Sequence, residues 1–506
     1  MGDISLIANS GIQLVTRQIR IKHDSDRLIF HEWFDEDRVE YNLELAYYLR
    51  QNQKIVKLYD LEDCRFVDSM TGELNVGENE VLCNPNVKII HEGDVQSCAD
   101  LFFMSYDDRN SKISSLMNQW LPMPYFELDL LGELKLGPYN WCRCKIIPQE
   151  TNDECTIATL LLAFDTHSLY GDGDNHAECP IFESDSEMSK DFQMCNQPSK
   201  MLDFCSGKNS GVKMSLMNRV HGVTDLEDIR IDERRKERKY SFLATYIWLI
   251  DYISKNCDLP KVQLFRDRGV ENVPVEMIID IGNSRTAAVL YEGEFAKVKP
   301  LALQNFTNPV GKNGELNRTE ESFDMRVAFQ KVKFGDNMVG SSQFIWPSMV
   351  RLGSEAQFLT YQTSDLAEGD EMYSTYSSPK RYLWDSKRRK EEWRCVKVGN
   401  EERNEVPTIE GISNFFSDNG DIDRDECGYG CHYSRKTLMT FAFMEIIAQA
   451  NVPSNSFEYR SFKGKRSRAR YLDKVIITCP TGMSKNEQRT LHECLKDALY
   501  VLEKFY

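Results

Sequence analysis

Residues Val275 to Glu292, Val-Glu-Met-Ile-Ile-Asp-Ile-Gly-Asn-Ser-Arg-Thr-Ala-Ala-Val-Leu-Tyr-Glu, constrain the fold of this chain more than any other stretch. Met277, Ile278, Ile279 and Ile281 form a short apolar run of the kind that fills a strand buried on both faces, and Ala287 to Tyr291 form a second. Between them sits Gly282-Asn283-Ser284-Arg285. A glycine there lets the backbone approach an anion closely. Turn amides, with the Ser284 and Thr286 hydroxyls, can donate hydrogen bonds to phosphate oxygens. Asp280 supplies the hard oxygen that Mg²⁺ prefers, directly or through water. An Asp-x-Gly at a strand end is more often an ordinary tight turn whose carboxylate caps the hairpin, so the motif takes its meaning from the segments after it in the chain.

Those segments come in a definite order. Gln343 to Ala356 reads Gln-Phe-Ile-Trp-Pro-Ser-Met-Val-Arg-Leu-Gly-Ser-Glu-Ala, and Ser377 to Trp384 reads Ser-Ser-Pro-Lys-Arg-Tyr-Leu-Trp. Ser434 is a candidate N-cap. Behind it Met439, Ala442, Phe443, Ile446, Ile447 and Ala450 repeat at three-and-four spacing, with Pro453 expected to close the helix. Val475-Ile476-Ile477-Thr478-Cys479-Pro480 reads as a buried strand. Ser484 with Glu487 makes a capping box, and Leu491, Leu495, Ala498, Leu502 and Phe505 draw one helical stripe.

This succession resembles the first lobe of the actin-like ATPase superfamily, and most closely its DnaK-type chaperone branch. The counterparts are Asp280-Ile281-Gly282, Pro347-Ser348-Met349-Val350, Lys380-Arg381-Tyr382-Leu383, the helix from Ser434 to Ala450, and Thr478-Cys479-Pro480 with Gln488-Arg489. The finer wording is similar to the SrfB virulence-factor family, through Leu6-Ile7-Ala8-Asn9-Ser10-Gly11-Ile12-Gln13, Trp346-Pro347-Ser348 and Ser378-Pro379-Lys380-Arg381-Tyr382-Leu383-Trp384. The resemblance implies an α/β nucleotide-binding lobe with a mixed sheet and flanking helices, taking ATP and Mg²⁺. Asp280 would organise the metal, and Gly282, Asn283 and Ser284 would hold the β- and γ-phosphates. Arg285 would face solvent or add a phosphate contact. Lys380 would be the catalytic cation, stabilising charge on the transferring phosphoryl group and positioning water. The second Asp-x-Gly hairpin and the adenosine-binding glycine loop of that superfamily have no counterpart before Tyr506. The expectation is therefore half a cleft, weak ATP binding and no turnover by this chain alone, with slow hydrolysis reserved for a longer protein. The rival reading is a non-catalytic scaffold that keeps the fold and holds protein partners.

Composition narrows the classes. With 79 acidic against 62 basic residues the formal charge is −17, which argues against a general nucleic-acid or anionic-membrane surface. No apolar run approaches the roughly 20 residues needed to span a bilayer, and the start lacks the features of a secretory signal. Fifteen scattered cysteines suit reduced thiols and a cytoplasmic location, with a secreted effector as the alternative.

Three regions are expected within the 506 residues. Residues 1–230 read as a β-rich domain, with short apolar runs at Gln53 to Tyr59, Val87 to Ile90 and Cys142 to Pro148 and a longer one at Thr156 to Phe164. An acidic mobile loop is expected near 167–211. Residues 231–274 read as a helix, Ile231 to Asn256, and a linker, and 275–506 as the nucleotide-binding lobe.

Other signals have bland readings. Cys427-Gly-Tyr-Gly-Cys431-His432, even with Cys142 and Cys144, lacks the paired spacing of a zinc knuckle. Asp418 to Glu426 departs from the EF-hand order, and Gly207-Lys208 with Gly211 from the P-loop spacing. His167 beside Asp165 has no nucleophile assigned to it.

Overall fold

The computed structural model describes residues 4–35, 40–66, 80–104, 112–205, 241–393 and 433–505, with short gaps in each, and positions 416 and 422. The candidate motifs at 427–432 and 207–211 lie outside these residues, as does 418–426 apart from Ile422.

The described strands fall into small sheets of two to five strands, and only two of the pairings are parallel. Mostly antiparallel, these sheets are arranged as a four-bladed β-propeller with few helices. This corrects the expected α/β, actin-like first lobe preceded by a β-rich domain. The misreading has a physical cause. An apolar strand, a glycine turn and an amphipathic helix are local features, and many ways of pairing strands far apart in sequence are compatible with the same succession.

The amino-terminal part is strand-rich. Cys155–Asp165 lies between Ile12–Lys22 and Cys142–Thr151 in antiparallel register, from Cys155 opposite Lys22 to Asp165 opposite Ile12. It is buried along nearly its whole length, as its unbroken apolar run requires. The strands expected near 53–59, 87–90 and 142–148 are found at Lys54–Asp60, Lys88–His91 and Cys142–Thr151. Within the expected mobile loop, Ser189–Met194 is a strand paired with both Tyr125–Glu127 and Val262–Phe265. The helix expected from Ile231 is described from Ser241 to Asn256, and its apolar side chains Leu243, Tyr246, Leu249 and Ile253 pack into the core with Tyr125, Trp141 and Phe164.

A second core is gathered under Val273–Ile281. That strand alternates: Val273, Val275, Met277, Ile279 and Ile281 are buried, while Ile278 is 36% exposed. It is thus covered on one face, where its apolar run had suggested two. It pairs antiparallel with Arg285–Tyr291 and parallel with Arg470–Thr478, the terminal strand of its sheet among the described residues. The parallel register slips at Val275/Glu276, whose partners are Leu472 and Lys474, so Asp473 is an inserted residue.

The helix Thr437–Ser454 passes through this core buried on nearly every side, and Pro453 lies inside it instead of ending it. Such a helix must satisfy any polar group it carries. Glu445 accepts from Trp346 Nε1 at 2.7 Å and from Gln449 Nε2 at 2.9 Å, with the Arg351 guanidinium 3.9 Å away. Glu355, 3.6 Å from Arg351, accepts from Thr307 N–H and Oγ1. Burial pushes the Glu445 carboxyl above its ordinary range, and Arg351, Trp346 and Gln449 pull it back.

Arg351→Met should therefore strand two buried carboxyl groups and cost about 3–5 kcal/mol near neutral pH. The sign with pH is set by the raised value. Glu445 contributes most below the ordinary carboxylate range and loses that contribution as pH rises through its folded value. Without Arg351 that loss deepens, so in thermal melts the deficit against the unchanged protein should be larger at neutral than at mildly acidic pH.

Candidate functional site

The hairpin that the sequence singled out closes tightly. Register runs from Glu276 opposite Tyr291 to Ile281 opposite Thr286, and Gly282 N–H donates to Arg285 O at 3.0 Å. A Cβ on Gly282 would stand 2.3 Å from that carbonyl oxygen. The turn itself therefore demands glycine there, with or without an anion.

Asp280, next to last in its strand, is exposed directly across from Thr478 of the parallel neighbour, and its Oδ1 accepts from Thr478 Oγ1. Nothing in the spacing of residues so far apart marks Thr478 as Asp280's partner; only the strand register does. Asn283 and Ser284 are exposed on the turn. Ser284 O accepts from Met325 N–H at 2.8 Å, and Met325 O accepts from Ser378 N–H at 2.7 Å. Through these bonds the turn is tied to the segment that carries Lys380.

Lys380 belongs to the short 3₁₀ turn Pro379–Tyr382, entered through Ser378 in the left-handed region at φ 56°. A non-glycine residue there is held by its surroundings. The Lys380 ammonium is buried and donates to Ile281 O at 2.7 Å. It also lies within electrostatic reach of Glu487. The Glu487 carboxyl is lowered by hydrogen bonds from Ser484 and, to a smaller extent, by Lys380. The capping box is formed, with Ser484 N–H and Oγ donating to Glu487 Oε2 and Glu487 N–H to Ser484 Oγ at 3.3 Å.

Of the residues expected at the site, Asp280, Gly282, Asn283 and Ser284 lie together at the end of the hairpin, and the buried Lys380 is tied to it from beneath through Ile281 O. Two others are turned elsewhere. Arg285 donates to Ser322 O at 3.3 Å and faces Asp324 at 3.6 Å, and the Thr286 hydroxyl is buried and meets no hydrogen-bond partner. Trp346 and Ser348 are buried, so the Trp-Pro-Ser stretch serves the core. Among the described residues no three His, Cys, Asp or Glu side chains cluster to hold a metal. A magnesium ion here would be carried mainly by phosphate oxygens and water, with Asp280 as the protein's contribution, and that donor set fits the ion's habits.

The other sequence candidates that fall among the described residues stand in structural settings. Cys142 and Cys144 are buried, and burial pushes both thiols up. His167 N–H donates to Asp165 Oδ1 at 3.0 Å in a turn.

A family model described as Virulence factor SrfB matches residues 2–505. The chain belongs to the SrfB virulence-factor family. The match spans essentially the whole chain, strand-rich part and hairpin alike. No curated protein matches it. Among the described residues no helix of this SrfB-family chain is long and apolar enough to cross a membrane.

Gly282→Ala should lower stability by about 1–3 kcal/mol, because backbone stands where the methyl group must go. Thermal melts without added nucleotide should show it in full, because the turn's need for glycine does not depend on a ligand.

Proposed function

We propose that the exposed corner of this SrfB-family protein binds the phosphate tail of a magnesium-bound nucleotide, with ATP the expected one. The observation that supports this reading best is the Lys380 ammonium held at the Ile281 carbonyl, a fixed cation at the base of the hairpin that carries Asp280 and the open Asn283-Ser284 turn. In a chain of formal charge −17 a polyanion needs such a local cation to be held. Magnesium, when bound with the nucleotide, supplies neutralisation of phosphate charge. Asp280 would orient the ion's water shell. The Ser284 hydroxyl and turn amides would donate to phosphate oxygens, and Lys380 would add its charge from behind the turn. The propeller-like fold lends this reading no support, and the reading rests on these side chains alone. It is a proposal for binding, with no claim of turnover.

A second reading has its own observation. Ile278 is 36% exposed and Tyr471, on the neighbouring strand, 43% exposed. Apolar side chains on the open part of a sheet favour the interaction-factor reading, in which the protein holds partners and the corner is only a well-made turn.

Calorimetric titration of the 506-residue chain with Mg-ATP decides between them. The nucleotide reading expects saturable, magnesium-dependent binding that Asp280→Ala weakens about tenfold or more. Binding that survives Asp280→Ala unchanged removes this site, and an absence of heat at millimolar Mg-ATP leaves the interaction factor.

A further inference from the structure

Away from the hairpin, a cavity of about 300 Å³ opens along the border of one strand. Residues 13–17 of Ile12–Lys22 all line it, and side chains of consecutive residues belong to opposite faces, so the strand meets the cavity edge-on. Ile12–Lys22 is terminal in its sheet among the described residues, with Cys155–Asp165 beside it in unbroken register. The partners farther along show which residues turn outward. Lys22 N–H donates to Tyr252 Oη at 3.1 Å and Tyr252 Oη donates to Arg20 O at 3.3 Å, whereas His23 N–H donates to Glu154 O at 2.8 Å on the paired side. In an antiparallel ladder the two sides alternate residue by residue. Leu14 and Thr16 therefore turn N–H and C=O toward the cavity, as Arg20 and Lys22 turn theirs toward Tyr252.

These groups are ready for another chain. Among the described residues neither the Leu14 nor the Thr16 N–H meets an acceptor, and Thr16 O accepts from Arg17 Nη1 at 2.8 Å. The nearby strand Ile4–Ile7 differs, because Ser5 O is taken by Arg460 Nη2 and Ile7 O by Ser10 Oγ at 2.6 Å. Its Ile4 and Leu6 side chains, with Phe457, give the cavity an apolar wall. The charged residues of the lining are Arg17 and Arg318 against Glu458. Arg318 Nε donates to Gln304 Oε1 at 3.4 Å, which ties that guanidinium to the wall.

We propose that this cavity binds the carboxyl-terminal end of an extended peptide, which adds to Ile12–Lys22 as a further strand. Its backbone pairs with Leu14 and Thr16, its apolar side chains rest against Ile4, Leu6 and Phe457, and its terminal carboxylate meets Arg17 and Arg318. Strand addition supplies main-chain hydrogen bonds, and a guanidinium pair suits a planar carboxylate. Arg17 Nη1 holds the place at Thr16 O that a peptide N–H would take. A volume at the lower end for ligand pockets admits a chain end and not a long strand. The site is separate from the hairpin corner and does not rest on the nucleotide reading.

The test is retention of random tetrapeptides by the immobilised full chain, read by mass spectrometry, with one pool as free acids and the same pool as carboxyl-terminal amides. Free acids rich in apolar residues should be retained, and the amides about tenfold less. Thr16→Pro removes one outward N–H and leaves the ladder to Cys155–Asp165 whole. Retention should fall about tenfold with a cooperative melting curve kept. Arg17→Gln with Arg318→Gln should erase the preference for acids over amides, a readout that stands even if Thr16→Pro does not fold. Four results would overturn the proposal: no retention of free acids at millimolar peptide, equal retention of acids and amides by the unchanged protein, a preference for acids that survives the double arginine variant, or full retention by folded Thr16→Pro. Equally strong binding of valerate, which has no backbone to pair, would make this a pocket for small carboxylates and also overturn it.

Discussion

The parallel ladder between Val273–Ile281 and Arg470–Thr478 is the pairing on which the candidate site depends. It joins Asp280 to Thr478 across 198 residues of chain, so loop-closure entropy opposes it and only burial on its covered face repays the cost. Val275, Met277, Ile279 and Ile281 supply that burial, packed with the Thr437–Ser454 helix and with Leu491, Leu495 and Ala498 of the last helix. Once the ladder has formed, the end of one strand, the hairpin turn and the capped start of Lys485–Phe505 stand together. No motif within any one of these segments could assemble that corner by itself.

A buried polar network fixes the other side of the same core. Trp346, Glu445, Gln449, Arg351 and Glu355 come from different segments and satisfy one another within the apolar surround. Half of such a network is worse than none, because a carboxylate left alone in a core costs several kcal/mol. Correct placement of Thr437–Ser454 is thereby tied to correct placement of the strand and helix that precede it. The corner inherits that rigidity through Lys380, whose segment is bonded to both the hairpin turn and Met325.

Much of the local structure is legible in the sequence. The hairpin at 275–292, the capping box at Ser484 and Glu487 and the buried run at 156–164 appear where periodicity and turn chemistry put them. Position-by-position carry-over does less well. Thr286, a phosphate donor by its place in the motif, is buried, and Gly282 is required by the Arg285 carbonyl opposite it before any ligand is considered. Fold class is not legible at all, since the order of local motifs along a chain does not determine how distant strands pair into sheets. Thr478 is invisible for the same reason: it acquires its role from Asp280, brought near by tertiary structure.

The slipped register at Asp473 has a consequence for how this protein lives among its neighbours. Val475, Ile476 and Ile477 form an apolar segment on a strand that is terminal in its sheet among the described residues, the kind of border onto which another polypeptide could zip. An inserted aspartate twists that border, and the exposed Asp473 and Lys474 would each have to shed water before an incoming strand could align. A greasy rim needed inside to anchor the long-range ladder is thus kept from becoming a seed for fibrous association.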